Sequence, residues 1–247
     1  MFRVIRTRIE FIVQRKSKIM LLITSAEFSD GKTYFCTNLA STYGMTGLKT
    51  LLIDMDIRKP SINERLELSE NDGVTNYLIG EKSLDELILK KEKYNFDILL
   101  GGTVPPNPGE LIRSEQLKQM FLALRERYDY IIVDTSPIGL VADAYSLAPM
   151  MDANLFVARS GKTNKSFFKR LNDQLKDDKL KHFYVILNDI NMDASRYGGY
   201  TKNYGYGYGY SYGYGGYGYG YGYGYGRKKR LKEANKYAQY YDDDSEV

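Results

Sequence analysis

Six short, largely apolar runs recur along the first three-quarters of this sequence, and they limit the fold more than any other feature. They cover residues 18–24, 49–54, 96–100, 128–134, 153–158 and 183–187. Each is a run of four to eight residues, the length of a buried strand rather than of a buried helix. Between them lie segments with helical spacing. Residues 33–43 bring Phe35, Leu39 and Tyr43 round every four positions, and residues 111–127 and 165–176 have a similar pattern. Near-continuous apolar strands separated by helices imply an α/β fold, with a mainly parallel sheet sandwiched by helices. The 43% hydrophobic content is enough to fill such a core and excludes wholesale disorder. No apolar run reaches the roughly 18 residues of a membrane-spanning helix. Arg3, Arg6 and Arg8 are followed by no signal-peptide core. The single cysteine, Cys36, allows no internal disulfide and fits a reducing compartment. With 35 basic and 31 acidic residues the net charge is +4, too even a balance to argue for nucleic acid.

Parallel sheets bind ligands beyond the carboxyl ends of their strands, so the residues after each run carry the chemistry. The first run is followed by Ala26, Glu27, Phe28, Ser29, Asp30, Gly31, Lys32 and Thr33, with Tyr34 next, and then by a helical segment. This is a P-loop with Ala26 in place of the first glycine. In such a loop the backbone amides and the helix N-terminus face anionic oxygens. Gly31 permits close approach, Lys32 reaches the β- and γ-phosphates, and the Thr33 hydroxyl serves Mg²⁺, so ATP and Mg²⁺ are the expected ligands. Asp54 ends the second run and Asp56 follows it, and Asp134 ends the fourth. Carboxylates at those ends can hold Mg²⁺, which keeps several waters and takes one or two protein carboxylates. One of them could instead accept the proton of an attacking hydroxyl. Any one aspartate alone reads equally as a helix cap or turn residue. Asn188, after the last run, is a candidate for reading adenine, or a turn asparagine. His182 and Cys36 read as structural.

The composition changes sharply near the end. Of 24 tyrosines, 16 lie between Tyr197 and Tyr241, and residues 204–226 are almost pure Tyr-Gly alternation. Glycine at every second position maximises the entropy lost on ordering, so residues 1–196 read as a folded domain and 197–247 as a flexible tail. The tail continues through a basic cluster, residues 227–230, to three acids, residues 242–244. Tyr-Gly repeats can also self-associate through aromatic contacts.

Three stretches carry a resemblance. Residues 54–60 (Asp-Met-Asp-Ile-Arg-Lys-Pro), 101–114 (Gly-Gly-Thr-Val-Pro-Pro-Asn-Pro-Gly-Glu-Leu-Ile-Arg-Ser) and 134–137 (Asp-Thr-Ser-Pro) resemble those of the bacterial tyrosine kinase family. Its members are the cytoplasmic kinase domains of capsule and exopolysaccharide export systems, and the likeness covers roughly residues 1–196. The resemblance implies an ATP-dependent protein-tyrosine kinase. Lys32 and the loop amides would bind phosphates, and Thr33 would bind Mg²⁺. Asp56 and Asp134 would hold Mg²⁺ directly or through water, and Asp54 would orient or deprotonate the acceptor hydroxyl. The implied acceptors are Tyr204, Tyr206, Tyr208, Tyr210, Tyr212, Tyr214, Tyr217, Tyr219, Tyr221, Tyr223, Tyr225, Tyr237, Tyr240 and Tyr241, modified in trans. A long tail reaches a neighbouring subunit at high effective concentration. Five phosphates would add on the order of −8 to −10 charge and drive packed subunits apart.

The family's self-association helix carries Glu-x-x-Arg-x-x-Arg, and Arg3 and Arg6 match its arginines. The glutamate position falls one residue before Met1, so the chain reads as the later part of a longer protein with membrane helices upstream. Ring assembly through that ion pair is then in question. Further implied partners are a membrane activator (a polysaccharide co-polymerase), on the same or a separate chain, and a cognate tyrosine phosphatase. The implied location is the cytoplasmic face of the plasma membrane. Two other classes compete with this reading. A partitioning-type ATPase acting as an oligomerisation switch carries an extra lysine four residues before the last P-loop glycine, where this chain has Glu27. A regulatory protein with a decayed site would not retain Lys32, Thr33, Asp54, Asp56 and Asp134 together.

Overall fold

The computed structural model describes residues 1–14, 17–176 and 182–190. The tail expected at 197–247, with all its acceptor tyrosines, lies outside these residues. All six apolar runs form strands: β1 (Ile19–Ser25), β2 (Thr50–Asp54), β3 (Asp97–Leu99), β4 (Tyr130–Asp134), β5 (Ala153–Arg159) and β6 (Phe183–Asn188). They make one sheet of order β3-β2-β4-β1-β5-β6, with every neighbouring pair parallel. Parallel strands cannot be joined by tight hairpins, so each connection carries helix. α1 (Phe2–Ile12) precedes the sheet and α2 (Lys32–Gly44) joins β1 to β2. α3 (Ile62–Leu66), α4 (Val74–Leu78) and α5 (Leu84–Leu87) lie between β2 and β3. α6 (Pro108–Arg113) and α7 (Glu115–Arg127) lead to β4, α8 (Asp143–Leu147) to β5 and α9 (Lys165–Lys176) to β6.

The single helix expected at 111–127 is two helices. Ser114 is extended (φ −66°, ψ 152°), and its Oγ accepts the Leu117 N–H at 3.2 Å, capping α7. α6 starts three residues before the expected boundary, with Pro108 in its first turn, where a missing N–H costs nothing.

Side-chain alternation along the strands builds two apolar layers. Leu21, Ile23, Leu52, Ile132 and Leu155 pack towards Phe35, Leu39 and Tyr43 of α2 and Ile9 of α1. Met20, Leu22, Ile53, Ile131 and Val133 pack on the other face, with Met120, Phe121 and Leu124 of α7 and Leu147 of α8. Tyr43 stacks on Tyr130 with ring centres 3.8 Å apart, closing the lower end of the first layer. The alternation also fixes the direction of two acids. Asp54 is two residues beyond Leu52, and Asp134 two beyond Ile132, so both carboxylates face the side on which α2 lies. No helix among the described residues is long and apolar enough to cross a membrane.

Leu22 is fully buried in the second layer. Leu22→Ala is expected to cost about 2–5 kcal/mol, through lost burial and the cavity left behind. Urea denaturation checks this, with Leu122→Ala (Leu122 is 59% exposed) as the control, expected to stay within about 0.5 kcal/mol of the parent.

Candidate active site

The expected P-loop, residues 26–33, links the end of β1 to the start of α2. Two of its residues take the left-handed conformation, Ser29 at φ 63° and Gly31 at φ 100°. At Gly31 glycine is required twice: the φ disfavours a side chain, and a Cβ would lie 2.3 Å from Asn188 Nδ2. α2 begins at Lys32 with no side-chain cap and no acid in its first turn. Its leading amides therefore remain available to an anion, and the helix dipole favours one there. Lys32 is buried and Thr33 half-buried, while Glu27 and Tyr34 are exposed. The Arg65 guanidinium lies 5.1 Å from the centre of the Tyr34 ring, and the Lys59 ammonium 5.2 Å from that of Phe28.

The loop is held from outside and within. Asn188 Nδ2 donates to the Asp30 carbonyl at 3.0 Å, Arg159 Nη1 to the Ser29 carbonyl at 2.9 Å, and Lys162 Nζ to the Phe28 carbonyl. Inside it, Asp30 Oδ2 accepts the Glu27 N–H at 3.1 Å. Asn188, expected as an adenine reader or a turn residue, thus has its amide on the phosphate loop.

The three acids come together at the ends of neighbouring strands. Asp54 and Asp134 are register partners across β2 and β4, and Ile23 of β1 is the partner of Asp134 on the other side. Asp54 is fully buried. Its Oδ1 accepts the Asp56 N–H at 3.1 Å, and its Oδ2 accepts those of Ser61 and Ile62 at 2.9 and 3.0 Å. Asp54 therefore organises the turn that leads into α3. Asp56 Oδ1 accepts the Ser136 hydroxyl at 2.5 Å and the Lys59 N–H at 3.2 Å. Asp134 Oδ1 is buried without a hydrogen-bond partner.

Burial is the main cause of all three shifts in acidity. It pushes Asp134 up to about 6, against the pull of Lys32 and of the Thr33 hydroxyl, while Asp56 adds to the rise. It raises Asp54 well above the usual carboxylate range, with Asp134 as the next cause. Asp56 also rises, opposed by Lys32 and by its Ser136 hydrogen bond. Cys36, buried in the α2 layer, is pushed up by burial and by Asp134.

An unpartnered carboxylate oxygen beside a lysine and a threonine hydroxyl fits a hydrated divalent cation. Among the described residues no three His, Cys, Asp or Glu side chains could hold a metal by themselves. Mg²⁺ completes its shell with waters and phosphate oxygens and takes only one or two protein carboxylates.

Several residues in or beside this cluster were not identified from the sequence. Ser61 Oγ lies 3.1 Å from Thr33 Oγ1. Arg58, whose side chain is 7% exposed, makes a two-point pair with Asp143 at 2.8 and 3.1 Å. Ser136, Arg159 and Lys162 join them through the contacts above. Of these only Arg58 and Ser136 lay within quoted motifs; the rest reach the site through tertiary contacts that leave no local pattern. Arg6 is engaged within its own chain, with Nη1 donating to the Thr42 carbonyl at 3.1 Å and Nε 3.5 Å from Glu10, whereas Arg3 is exposed. A groove of about 300 Å³ opens beside Asp54, between Pro60, Asn63 and residues 101–104. A larger cavity, about 540 Å³, lies at the opposite end of the sheet, against residues that precede β2 and β4.

A left-handed glycine at an uncapped helix start, a buried lysine and strand-end acids define a P-loop nucleotide-binding protein, and a family described as an AAA domain matches residues 29–158. The chain belongs more narrowly to the bacterial tyrosine-protein kinase family. It is 35% identical over 205 residues to tyrosine-protein kinase CpsD of Streptococcus agalactiae, covering 83% of this chain and 88% of that one. It is 35% identical over 200 residues to tyrosine-protein kinase YwqD of Bacillus subtilis, covering 81% and 84%. The kinase domain of the Escherichia coli tyrosine kinase ETK superposes with a TM-score of 0.73 at 30% identity, covering 86% of this chain and 79% of that domain.

An acid with a raised pKa binds its proton more tightly folded than unfolded, so its contribution to stability falls as pH rises. For Asp134 the window runs from 3.8, the ordinary carboxylate value, to about 6. Asp134→Asn is therefore expected to melt higher than the parent above pH 6 in the absence of nucleotide, with the difference closing towards pH 4. Thermal melts across that range check it; a constant difference would show that Asp134 does not titrate there.

Proposed function

We propose that the chain is an ATP-dependent protein-tyrosine kinase that phosphorylates the tyrosines of its own C-terminal region in trans and thereby regulates capsule or exopolysaccharide production. The observation that carries this reading is the meeting of three strand-end carboxylates with Lys32 and Thr33 at an uncapped helix start. Membership of a family whose named relatives are tyrosine-protein kinases supports it. ATP would lie in the loop, with its phosphates on the amides of residues 29–33 and on Lys32. Thr33, Asp56 and Asp134 would hold Mg²⁺, which supplies charge neutralisation on the phosphate oxygens.

The tyrosine oxygen forms the new bond to the γ-phosphorus as the bond to the bridging oxygen of the departing ADP breaks, and the hydroxyl proton passes to a carboxylate. Asp54 suits that last role electrostatically, since burial and its neighbour Asp134 raise its affinity for a proton. Its Oδ1 accepts a single backbone N–H, and a carboxylate oxygen can accept two. Asp54 is fully buried and lines one groove. The groove beside Pro60 and residues 101–104 is the nearest approach. Positioning and charge neutralisation dominate such a reaction, because a loose transition state asks for little covalent help.

The expected partners are further copies of the chain, a membrane activator that brings it to the inner face of the plasma membrane, and a tyrosine phosphatase. Arg3 is the residue of the α1 pair that remains free for contacts between subunits.

Incubation with radiolabelled ATP and Mg²⁺ is expected to label tyrosines within 204–241, mapped by mass spectrometry. Lys32→Met is expected to lower labelling by at least about 100-fold, the scale seen when one stabilising group at a charged transition state is removed. Asp54→Asn should lower it similarly, with nucleotide affinity kept within about threefold of the parent. Free phosphate without labelled protein would instead support the oligomerisation-switch ATPase, and neither product would leave a scaffold.

A further inference from the structure

We propose that Arg159 and Lys162 are positioning residues for the P-loop, and that Arg159, shared with Asp189, makes nucleotide affinity depend on where β6 ends. The proposal rests on the reading of the loop as a nucleotide site and adds a means of regulating it.

The carbonyl and the N–H of one peptide plane point in opposite directions. Holding the carbonyls of Phe28, Ser29 and Asp30 outwards therefore turns the N–H groups of Ser29, Asp30 and Gly31 the other way, into the cradle. All three carbonyls are held from one side: Phe28 by Lys162, Ser29 by Arg159 and Asp30 by Asn188. Two of the three donors are cations, so those bonds are charge-assisted and stronger than neutral ones. Lys162 also lies 3.2 Å from Asp30 Oδ1, which is itself buried. The loop needs such support, because Ser29 is a non-glycine residue in the left-handed region.

Arg159 serves a second acceptor. Its Nη1 donates to the Ser29 carbonyl at 2.9 Å, and its Nε to Asp189 Oδ2 at 2.8 Å. The guanidinium is rigid and planar, so the carboxylate that fixes Nε also fixes the position of Nη1. Asp189 follows β6 directly, has φ 56°, and stands eight residues ahead of Tyr197. Arg159 and Asn188 are register partners across β5 and β6, and the Ser160 N–H donates to the Asn188 carbonyl at 2.9 Å. The end of β6 and the brace on the loop are thus one piece. A change at Asp189 reaches Ser29 through one rigid ion. A half-exposed ion pair adds little to folding stability, so the effect belongs in ligand affinity rather than in melting temperature.

Fluorescence titration with a fluorescent ATP analogue, on the full chain with Mg²⁺, tests the proposal. Arg159→Ala and Lys162→Ala are each expected to weaken binding about tenfold, the scale of one charge-assisted hydrogen bond. Asp189→Ala should weaken it about threefold, and the Arg159→Ala/Asp189→Ala double variant should be no weaker than Arg159→Ala alone, since both act through one group. Arg159→Lys should not restore affinity, because an ammonium cannot span both acceptors. Melting temperatures should stay close to the parent's throughout. Additive losses in the double variant, rescue by lysine, or tighter binding in Asp189→Ala would each overturn the proposal, the last two showing that Arg159 acts only as a charge near phosphate. A parent chain that binds no analogue would overturn the nucleotide reading itself, and this inference with it.

Discussion

Two carboxylates buried side by side, Asp54 and Asp134, set the terms for the rest of the site. In-register neighbours on parallel strands stand about 5 Å apart along the sheet, and both acids face α2. Burying one ionised carboxylate is costly and burying two together is worse, so the protein surrounds them with compensating groups. Asp54 receives three backbone N–H groups, and Asp134 has Lys32 and the Thr33 hydroxyl close by. The compensation stops short of completeness: one oxygen of Asp134 stays without a hydrogen bond, and the carboxyl is pushed up to about 6. A site left in that condition has a standing affinity for positive charge. The insertion of β4 between β1 and β2 makes the arrangement possible, since it sets the P-loop strand beside one acid and the second acid beyond that.

Much of this was legible in the sequence, and what was not has a common cause. Apolar runs of strand length located all six strands. The four inner strands are buried along nearly their whole length and leave little room for polar residues. The edge strand β6 stays apolar even at its exposed Val185 and Leu187. The glycine and lysine of the loop and the acids at strand ends were legible because backbone chemistry fixes their spacing. The break at Ser114 was missed because the apolar spacing runs on through it, while the serine switches from helix interior to cap. Ser61, Asp143, Arg159 and Lys162 were missed because they act across 28 to 134 residues of chain. The role expected of Asp54 is to orient or deprotonate the acceptor hydroxyl, and local sequence holds no sign of the three amides of the following turn that converge on its carboxylate.

Residues 54–60, residues 134–137 and the start of 101–114, which carried the family resemblance, meet in one place. Residues 54–60 form a turn in which nearly every side chain has a partner: Asp54 on the amides of residues 56, 61 and 62, Asp56 on Ser136, Arg58 on Asp143. Residues 134–137 enter the same network through Ser136 and are tied to β1 by the Thr135 hydroxyl, which donates to the Ile23 carbonyl at 2.9 Å. The start of the 101–114 stretch closes the other side, where a Cβ on Gly101 would come within 3.0 Å of Pro60. A P-loop needs only an anion cradle, and many chains can supply one. A turn that buries two acids, pairs an arginine and packs a proline against a glycine requires each partner to be present. Changing one member leaves a buried charge or a clash at the next, so the residues are constrained as a group.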